Sequence, residues 1–360
     1  MLNCDTKSLK DLEKNSDKIK MDDEGRIFFW DNLKVLLIIL VVVGHSVDFY
    51  TPTSLMMKDI YLFIYTFHMP LFIFVSGYFS KTVLDGKQFR IEKVILYLFL
   101  YFLLKLCFFV LNRYIFGDTS TLFSFFVEGG PPWYLFAMSV WLCISYVIQN
   151  IKPVIVICFS IIIGVLVGYY KIVTVVDLFS LSRILVFFPF FISGYYFKSK
   201  DLIRILKCRW LKWLSLITIT IVFVTIFIYG QDIYHFRGFF TGRNSYITLG
   251  KPLFGGIYRF LFYGLSTITS LAIMYIIPNG RIFITKFGNR TLQVYFIHYL
   301  VLLIYQHYSL DIYLMNIFPY NWELVYLCLA VGLAFVLSLK IFEFPFKSIM
   351  RLKLNKILVK

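Results

Sequence analysis

Two side chains in the first apolar segment have the types and the spacing that proton transfer inside a membrane would need. Lys34 and His45 bracket the uninterrupted apolar run from Val35 to Val43. In an α-helix, residues 34 and 45 lie on one face, about 16 Å apart along the axis. Ionisable residues inside apolar helices are rare and are usually functional. The sequence therefore predicts a cation near one membrane surface and, on the same face, a titratable imidazole deep in the hydrocarbon.

The second apolar segment carries a further histidine in the sequence FHMPLFIFVSGYFSK, residues 67–81. His68 is expected at a depth similar to that of His45, and Pro70 interrupts the helical hydrogen bonds there. Ser76 and Tyr78 give the same helix a small polar face. The alternative interpretation is a kinked packing helix with a hydrogen-bonded, structural histidine.

Two clusters of polar and aromatic residues precede or join other apolar segments. Arg90 and Lys93 stand at the start of the third segment, where they could meet a phosphate or could only anchor the topology. The sequence EGGPPWYLF places Trp133 and Tyr134 at a membrane interface, as an aromatic belt or as the wall of a cavity mouth. The loop 230–256 contains Arg237 and Arg243, and it is suited to a polar acceptor or simply caps the bundle.

The composition sets the fold class. Of the 360 residues, 59% are hydrophobic and 20% aromatic, and the mean hydropathy is +0.77. The apolar runs are continuous and of helical length, which favours an all-α, polytopic membrane protein over a β-barrel. The net charge of +16 is distributed as membrane orientation requires, so we predict no nucleic-acid partner. The six cysteines show no close pairing, and we predict no metal site.

The hydrophobic pattern predicts a bundle of about ten transmembrane helices with both termini in the cytoplasm. We divide the chain into a cytoplasmic flexible tail at 1–25, a membrane-embedded domain at 26–345 and a basic cytoplasmic tail at 346–360. Lys and Arg residues concentrate on the side that this orientation makes cytoplasmic. The predicted spans are about 33–50, 59–80, 92–112, 133–149, 153–170, 181–197, 213–230, 256–277, 292–309 and 322–342.

Five segments, in this order along the chain, resemble the membrane-bound acyltransferase family 3. They are RIFFWDNLKVLLIILVVVGH, FHMPLFIFVSGYFSK, GPPWYLF, FFPFFISG and GNRTLQVYFIHYL. Within that family the chain is similar to the stand-alone O-acetyltransferases related to fucose 4-O-acetylase. The family signature in the first span is an arginine, ten intervening residues and a histidine. Lys34 takes the arginine position here, which keeps the charge and loses the bidentate fork, and His45 takes the histidine position.

The resemblance implies a multi-pass O-acetyltransferase of a bacterial cell membrane that modifies capsule or another exopolysaccharide. Acetyl-CoA would be the donor, and a hydroxyl of a cell-surface or lipid-linked glycan sugar the acceptor. His45 is then expected as the general base, with a transient acetyl-histidine left open. The remaining expected residues are Arg26, Lys34, Arg90 and Lys93 for the donor phosphates; His68, Ser76, Tyr78 and His298 as supporting groups or oxyanion donors; and Trp133, Tyr134, Arg237 and Arg243 for the acceptor.

Two other functions are compatible with the same residues. Buried charges, kinks and a membrane-embedded histidine would also suit a transporter or flippase for a lipid-linked glycan or a small polar substrate. A membrane scaffold would instead use His45 for partner binding or stability. For His298 the alternative is a structural role, because Gln293 and Tyr295 offer it ordinary partners. Neither the acceptor sugar nor the oligomeric state follows from the sequence.

Overall fold

The described part of the chain is helical and contains no β-strand. A computed structural model describes residues 27–84, 89–124, 130–170, 180–199, 201–202 and 209–351. The first seven helices are α1 (Phe28–Asp48), α2 (Leu55–Tyr65), α3 (His68–Leu84), α4 (Ile91–Val110), α5 (Trp133–Ile148), α6 (Pro153–Leu166) and α7 (Leu181–Tyr196). The others are α8 (Arg209–Ile233), α9 (Arg237–Thr241), α10 (Gly255–Ile276), α11 (Thr291–His307), α12 (Leu310–Ile317), α13 (Trp322–Leu337) and α14 (Phe346–Arg351).

Five segments of the described residues are long and apolar enough to cross a membrane: 28–48, 55–81, 91–115, 210–241 and 255–276. The second joins α2 and α3, and the fourth joins α8 and α9. Shorter apolar helices cover 133–148, 153–169, 181–196 and 322–337. The expected count of ten spans and the cytoplasmic location of both termini remain predictions. The tail 1–25 lies outside the described residues, and the segment after 345 begins with α14, where the Phe346 ring is 5.1 Å from that of Phe296.

Helix α1 is surrounded by other elements. It packs against α2, α3, α11, α13 and the 3₁₀ turn Phe283–Phe287. Its first turns are fixed by the buried Asn32 amide, which donates to the carbonyl oxygens of Pro278 and Gly280, each at 2.9 Å, and accepts from the Thr285 hydroxyl. An element held on all sides gives a side chain on it a defined position, and His45 lies on this helix.

The second predicted span is two helices with a break between them. Helix α2 ends at Tyr65, and α3 begins at His68. The cause is Pro70, which has no N–H group to donate to the carbonyl oxygen of Thr66. That oxygen accepts the Ser266 hydroxyl from α10 at 2.6 Å. A carbonyl freed by proline inside an apolar bundle is therefore satisfied by a neighbouring helix, as such positions require.

Helices α3 and α7 form a close pair through the same short motif. The sequences SGYFSK and SGYYFK place Ser, Gly, Tyr and Lys at residues 76, 77, 78 and 81 and at residues 193, 194, 195 and 198. A Cβ atom at Gly77 would overlap the carbonyl oxygen of Phe191, and one at Gly194 would overlap that of Phe74. The contact is therefore reciprocal, and only glycine permits it at either position.

Candidate active site

His45 lies in the last turn of α1, one turn before the helix ends at Asp48. Its ring centre is 5.4 Å from that of His298 and 5.2 Å from that of Tyr299, both on α11. Gly44 allows α2 to approach, since a Cβ atom there would be 3.3 Å from the Tyr65 ring. The imidazole is near the end of α1 opposite to Lys34, and its depth in the membrane remains a prediction.

The side chain of His45 lines a cavity of about 730 Å³. This volume is in the range of small-molecule sites, roughly 300–1,000 Å³. The cavity combines the end of α1 with residues of α2, α3, α7, the turn before α5, the segment 234–249 and Tyr299. Its polar and aromatic lining comprises His45, Asp48, Tyr61, Tyr65, His68, Trp133, Arg183, Phe187, Tyr234, His235, Arg237, Phe240, Thr241, Arg243, Asn244 and Tyr299.

The long loop predicted at 230–256 forms one wall of this cavity. Helix α8 continues to Ile233, a 3₁₀ turn covers Tyr234–Phe236, and the short helix α9 follows. The Arg237 guanidinium lies over the Tyr234 ring at 4.6 Å and donates to the Tyr234 hydroxyl. That hydroxyl in turn donates to Thr51 Oγ1 at 2.7 Å. Arg237 is therefore held in place at the cavity although it is exposed.

Trp133 and a residue that the sequence analysis did not single out, Arg183, form a second wall. The Arg183 guanidinium lies over the Trp133 ring, 5.0 Å from its centre. Arg183 is 9% exposed and stands in the first turn of α7. The signal that could have identified it is an arginine directly before the apolar run ILVFFPFF, because a cation inside such a helix indicates function.

In both His68 and His298, the Nδ1 atom forms a hydrogen bond with a backbone carbonyl oxygen of the preceding helical turn. Nδ1 of His68 lies 2.8 Å from the Ile64 carbonyl oxygen, and Nδ1 of His298 lies 3.0 Å from that of Val294. A carbonyl oxygen only accepts, so each Nδ1 carries the hydrogen, and the neutral ring has its lone pair on Nε2. A neutral His68 or His298 has no further N–H group for an oxyanion. Both can instead accept a proton or a hydrogen bond.

Three of the expected site residues point elsewhere. The Ser76 hydroxyl donates to the Phe72 carbonyl at 2.8 Å and accepts from the Tyr134 hydroxyl at 2.6 Å. Tyr78 stacks on Trp30 with ring centres 4.3 Å apart, and its hydroxyl is 3.1 Å from Ser199 Oγ. None of Ser76, Tyr78 and Tyr134 lines the cavity. This placement does not support oxyanion roles for Ser76 and Tyr78 or acceptor contact by Tyr134.

The expected donor residues lie at the other end of the bundle, which we call the Lys34 end: the first turns of α1, the last turns of α3 and the start of α4. Lys34 Nζ is 2.8 Å from Asp31 Oδ1 and 5.0 Å from the centre of the Phe79 ring. The amide of Arg90 donates to the Val83 carbonyl, and Lys93 follows in the first turn of α4. Arg26 lies outside the described residues. None of Lys34, Arg90 and Lys93 lines the His45 cavity.

The described residues contain no group of three or more His, Cys, Asp or Glu side chains that could hold a metal ion.

Comparison with known proteins adds a family and no individual relative. A family model described as an acyltransferase domain, of the acyltransferase 3 type, matches residues 27–341. No curated protein and no solved structure matches the chain. The matched range contains α1 to α13 and every residue that lines the cavity.

Proposed function

Since the chain belongs to the acyltransferase 3 family, a family of membrane acyl-transferring enzymes, we propose that it moves an acetyl group from acetyl-CoA to a sugar hydroxyl. The sugar would belong to a cell-surface or lipid-linked glycan at a bacterial cell membrane, as in the fucose 4-O-acetylase type. The family membership favours acyl transfer over the transporter and scaffold functions that the sequence left open. Donor, acceptor and membrane are parts of this proposal.

One observation carries the proposal: the imidazole of His45 faces a cavity that a sugar could enter. His68, Trp133, Arg237 and Arg243 line the same cavity. Aromatic faces and fixed hydrogen-bond donors are the groups with which proteins hold small polar ligands. This arrangement supports the proposal that a base, a binding wall and space for an acceptor lie at one end of the bundle.

The reaction assigned to His45 is general base catalysis. The imidazole takes the proton of the acceptor hydroxyl while the oxygen attacks the thioester carbonyl carbon. The tetrahedral intermediate then collapses, the C–S bond breaks, and the imidazolium returns the proton to the leaving thiolate. Arg183, which lies beside Trp133, is better suited to stabilise the negative oxygen than the neutral His68, because a guanidinium always carries donors. Attack by His45 itself, giving an acetyl-histidine, would use the same geometry.

The donor would bind at the Lys34 end, with its phosphates near Lys34, Arg90, Lys93 and Arg26. Its acyl group would have to travel along α1, since residues 34 and 45 are about 16 Å apart on that helix. The ion pair with Asp31 offsets part of the charge of Lys34. Arg90 and Lys93 therefore become more important to this half of the proposal than the family signature alone suggests.

The test is acetyl transfer by purified protein in proteoliposomes, with labelled acetyl-CoA and membrane glycans as the acceptor. His45→Ala should lower the rate by about 10²- to 10⁴-fold, the usual contribution of a general base. His307→Ala is the matched control, because His307 stacks on Phe116 with ring centres 3.9 Å apart and does not line the cavity.

Mass spectrometry of surface glycans from cells carrying each variant reports the same outcome in vivo. A normal acetyl content with His45→Ala would refute the mechanism. Movement of glycan across the proteoliposome membrane without any acetyl transfer would instead support the transporter.

A further inference from the structure

Asp48 is the one carboxylate among the described residues that line the His45 cavity. It is the last residue of α1, three positions after His45, so the two side chains are neighbours on one helix, about 4.5 Å apart along its axis. His298 is also a neighbour of His45, but it does not line the cavity. A ligand in the cavity that reaches His45 can therefore contact Asp48 but not His298.

The Asp48 carboxylate accepts no hydrogen bond from any described residue, and the charged group that acts on it electrostatically is Arg237. The Arg237 guanidinium itself donates to the Tyr234 hydroxyl. Helix stability does not explain an aspartate at this position either, because the carboxyl end of a helix disfavours negative charge. An ionised carboxylate only accepts hydrogen bonds, and it does so with two oxygens. Asp48 is therefore suited to a ligand that donates a hydrogen bond, such as a hydroxyl group.

Resting on the proposed function, we propose that Asp48 selects an acceptor sugar with two hydroxyl groups on adjacent carbons. His45 takes the proton of the hydroxyl that is acetylated, and the Asp48 carboxylate accepts a hydrogen bond from the hydroxyl beside it. Side chains three positions apart on a helix have Cβ atoms about 5–6 Å apart, a separation that two adjacent hydroxyls can bridge through two hydrogen bonds.

Such a contact makes Asp48 a specificity-determining residue. A site built to receive a substrate hydroxyl rejects an analogue that lacks it, because the protein group then loses its partner. The substrate class is therefore a sugar with a vicinal diol, and a sugar without the second hydroxyl is a poor acceptor.

Binding without catalysis tests this proposal. The full-length protein in nanodiscs is titrated, in the absence of any acyl donor, with methyl fucoside and with the three monodeoxy analogues that each lack one ring hydroxyl. Methyl fucoside is the probe because the proposed function is of the fucose acetylase type. We expect at least one analogue to bind about tenfold or more weakly than the fucoside, because it leaves the carboxylate without a donor.

Three variants connect this preference to Asp48. Asp48→Ala should bind the fucoside and one of the disfavoured analogues with affinities within about twofold of each other, since the partner of the missing hydroxyl is gone. Asp48→Asn keeps the shape and one acceptor oxygen, so it should retain part of the preference if Asp48→Ala folds poorly. Asp59→Asn is the matched control and should keep the full preference, because Asp59 lies in α2 and does not line the cavity.

Three results would overturn the proposal: no binding of any of the four sugars, equal binding of all four by the wild-type protein, or a preference that persists in full in Asp48→Ala. If that persistent preference came with an equal fall in transfer rate for every sugar, Asp48 would be a positioning residue for His45 instead. If the preference depends on Asp48 and yet no sugar receives an acetyl group, the hydroxyl site stands and the proposed transfer fails.

Discussion

The imidazole of His298 faces that of His45, with ring centres 5.4 Å apart. His298 is fully buried, and its Nε2 atom has no hydrogen-bond partner among the described residues. A buried acceptor without a partner costs roughly 1–3 kcal/mol. A lone pair kept at this cost beside the proposed base supports the hypothesis that His298 orients His45, by accepting its N–H group through a bridging water molecule.

Replacing His298 with Phe keeps a flat ring and removes both nitrogens. We expect the maximal rate of acetyl transfer to fall about tenfold or more, with the KM for the acceptor little changed, because the loss concerns the base and not the binding wall. His298→Gln, which keeps an acceptor, should retain more activity. An unchanged rate with His298→Phe, in protein with the wild-type unfolding temperature, would reduce His298 to a packing residue.

Because α3 and α7 are in contact through Gly77 and Gly194, adding a side chain at either glycine should lower the stability of the protein substantially. Gly194→Ala would place a methyl group on the carbonyl oxygen of Phe74, so the two helices would have to separate. We expect a loss of about 1–3 kcal/mol, as for other overpacked interiors, measured as the unfolding temperature in detergent. Gly264→Ala is the control, since no atom lies within 4 Å of the added group. Similar unfolding temperatures for the two variants would contradict the close packing.

The ion pair at the Lys34 end changes how a Lys34 variant must be interpreted. Lys34→Ala removes a cation from the buried Asp31 carboxylate, which destabilises the protein whatever the donor does. The double variant Lys34→Ala, Asp31→Asn should recover stability. If Lys34 binds donor phosphate, the KM for acetyl-CoA stays raised in this double variant and is close to normal in Lys34→Arg. A normal KM in the double variant would remove Lys34 from the donor site.

Ser266 should stabilise the break before α3. Ser266→Ala removes the hydroxyl that satisfies the Thr66 carbonyl, and we expect a loss of about 1 kcal/mol in unfolding free energy. The matched control is Ser270→Ala, one turn along α10, because the Ser270 hydroxyl has no described partner. In a Pro70→Ala background the Ser266→Ala cost should shrink, since the restored N–H group can reach the same carbonyl. Equal costs in both backgrounds would contradict this account.

Much of the fold follows from hydrophobic runs, because a membrane leaves few alternatives to helices. The run Val35 to Val43 predicted α1, and the structure extends this helix from Phe28 to Asp48. Pro70 predicted a local disruption of the second span, but not that the chain would form two helices there. The partner of the freed carbonyl, Ser266, is two hundred residues away, and no local pattern contains such a contact.

The residues of the cavity were predicted from the sequence less completely than the helices were. His45, His68, Trp133, Arg237 and Arg243 were expected at a site and do line the cavity. Tyr78 was expected there because it shares a helix with His68, but its position along α3 places it at the Lys34 end. Arg183 was missed because a charge at the start of a span is usually an anchor. Which charges face inward depends on the rotation of each helix, and packing determines that rotation.

Three helix ends meet at the cavity, and their peptide dipoles have opposite signs there. Helix α1 ends beside His45, whereas α5 begins at Trp133 and α7 begins just before Arg183. The carboxyl end of a helix stabilises positive charge, and the amino end stabilises negative charge, each by about 0.3–1 kcal/mol or more where water is scarce. The backbone alone therefore gives this cavity a polarity. It favours the arrival of a proton on the His45 side and the accumulation of negative charge on the side of Trp133 and Arg183.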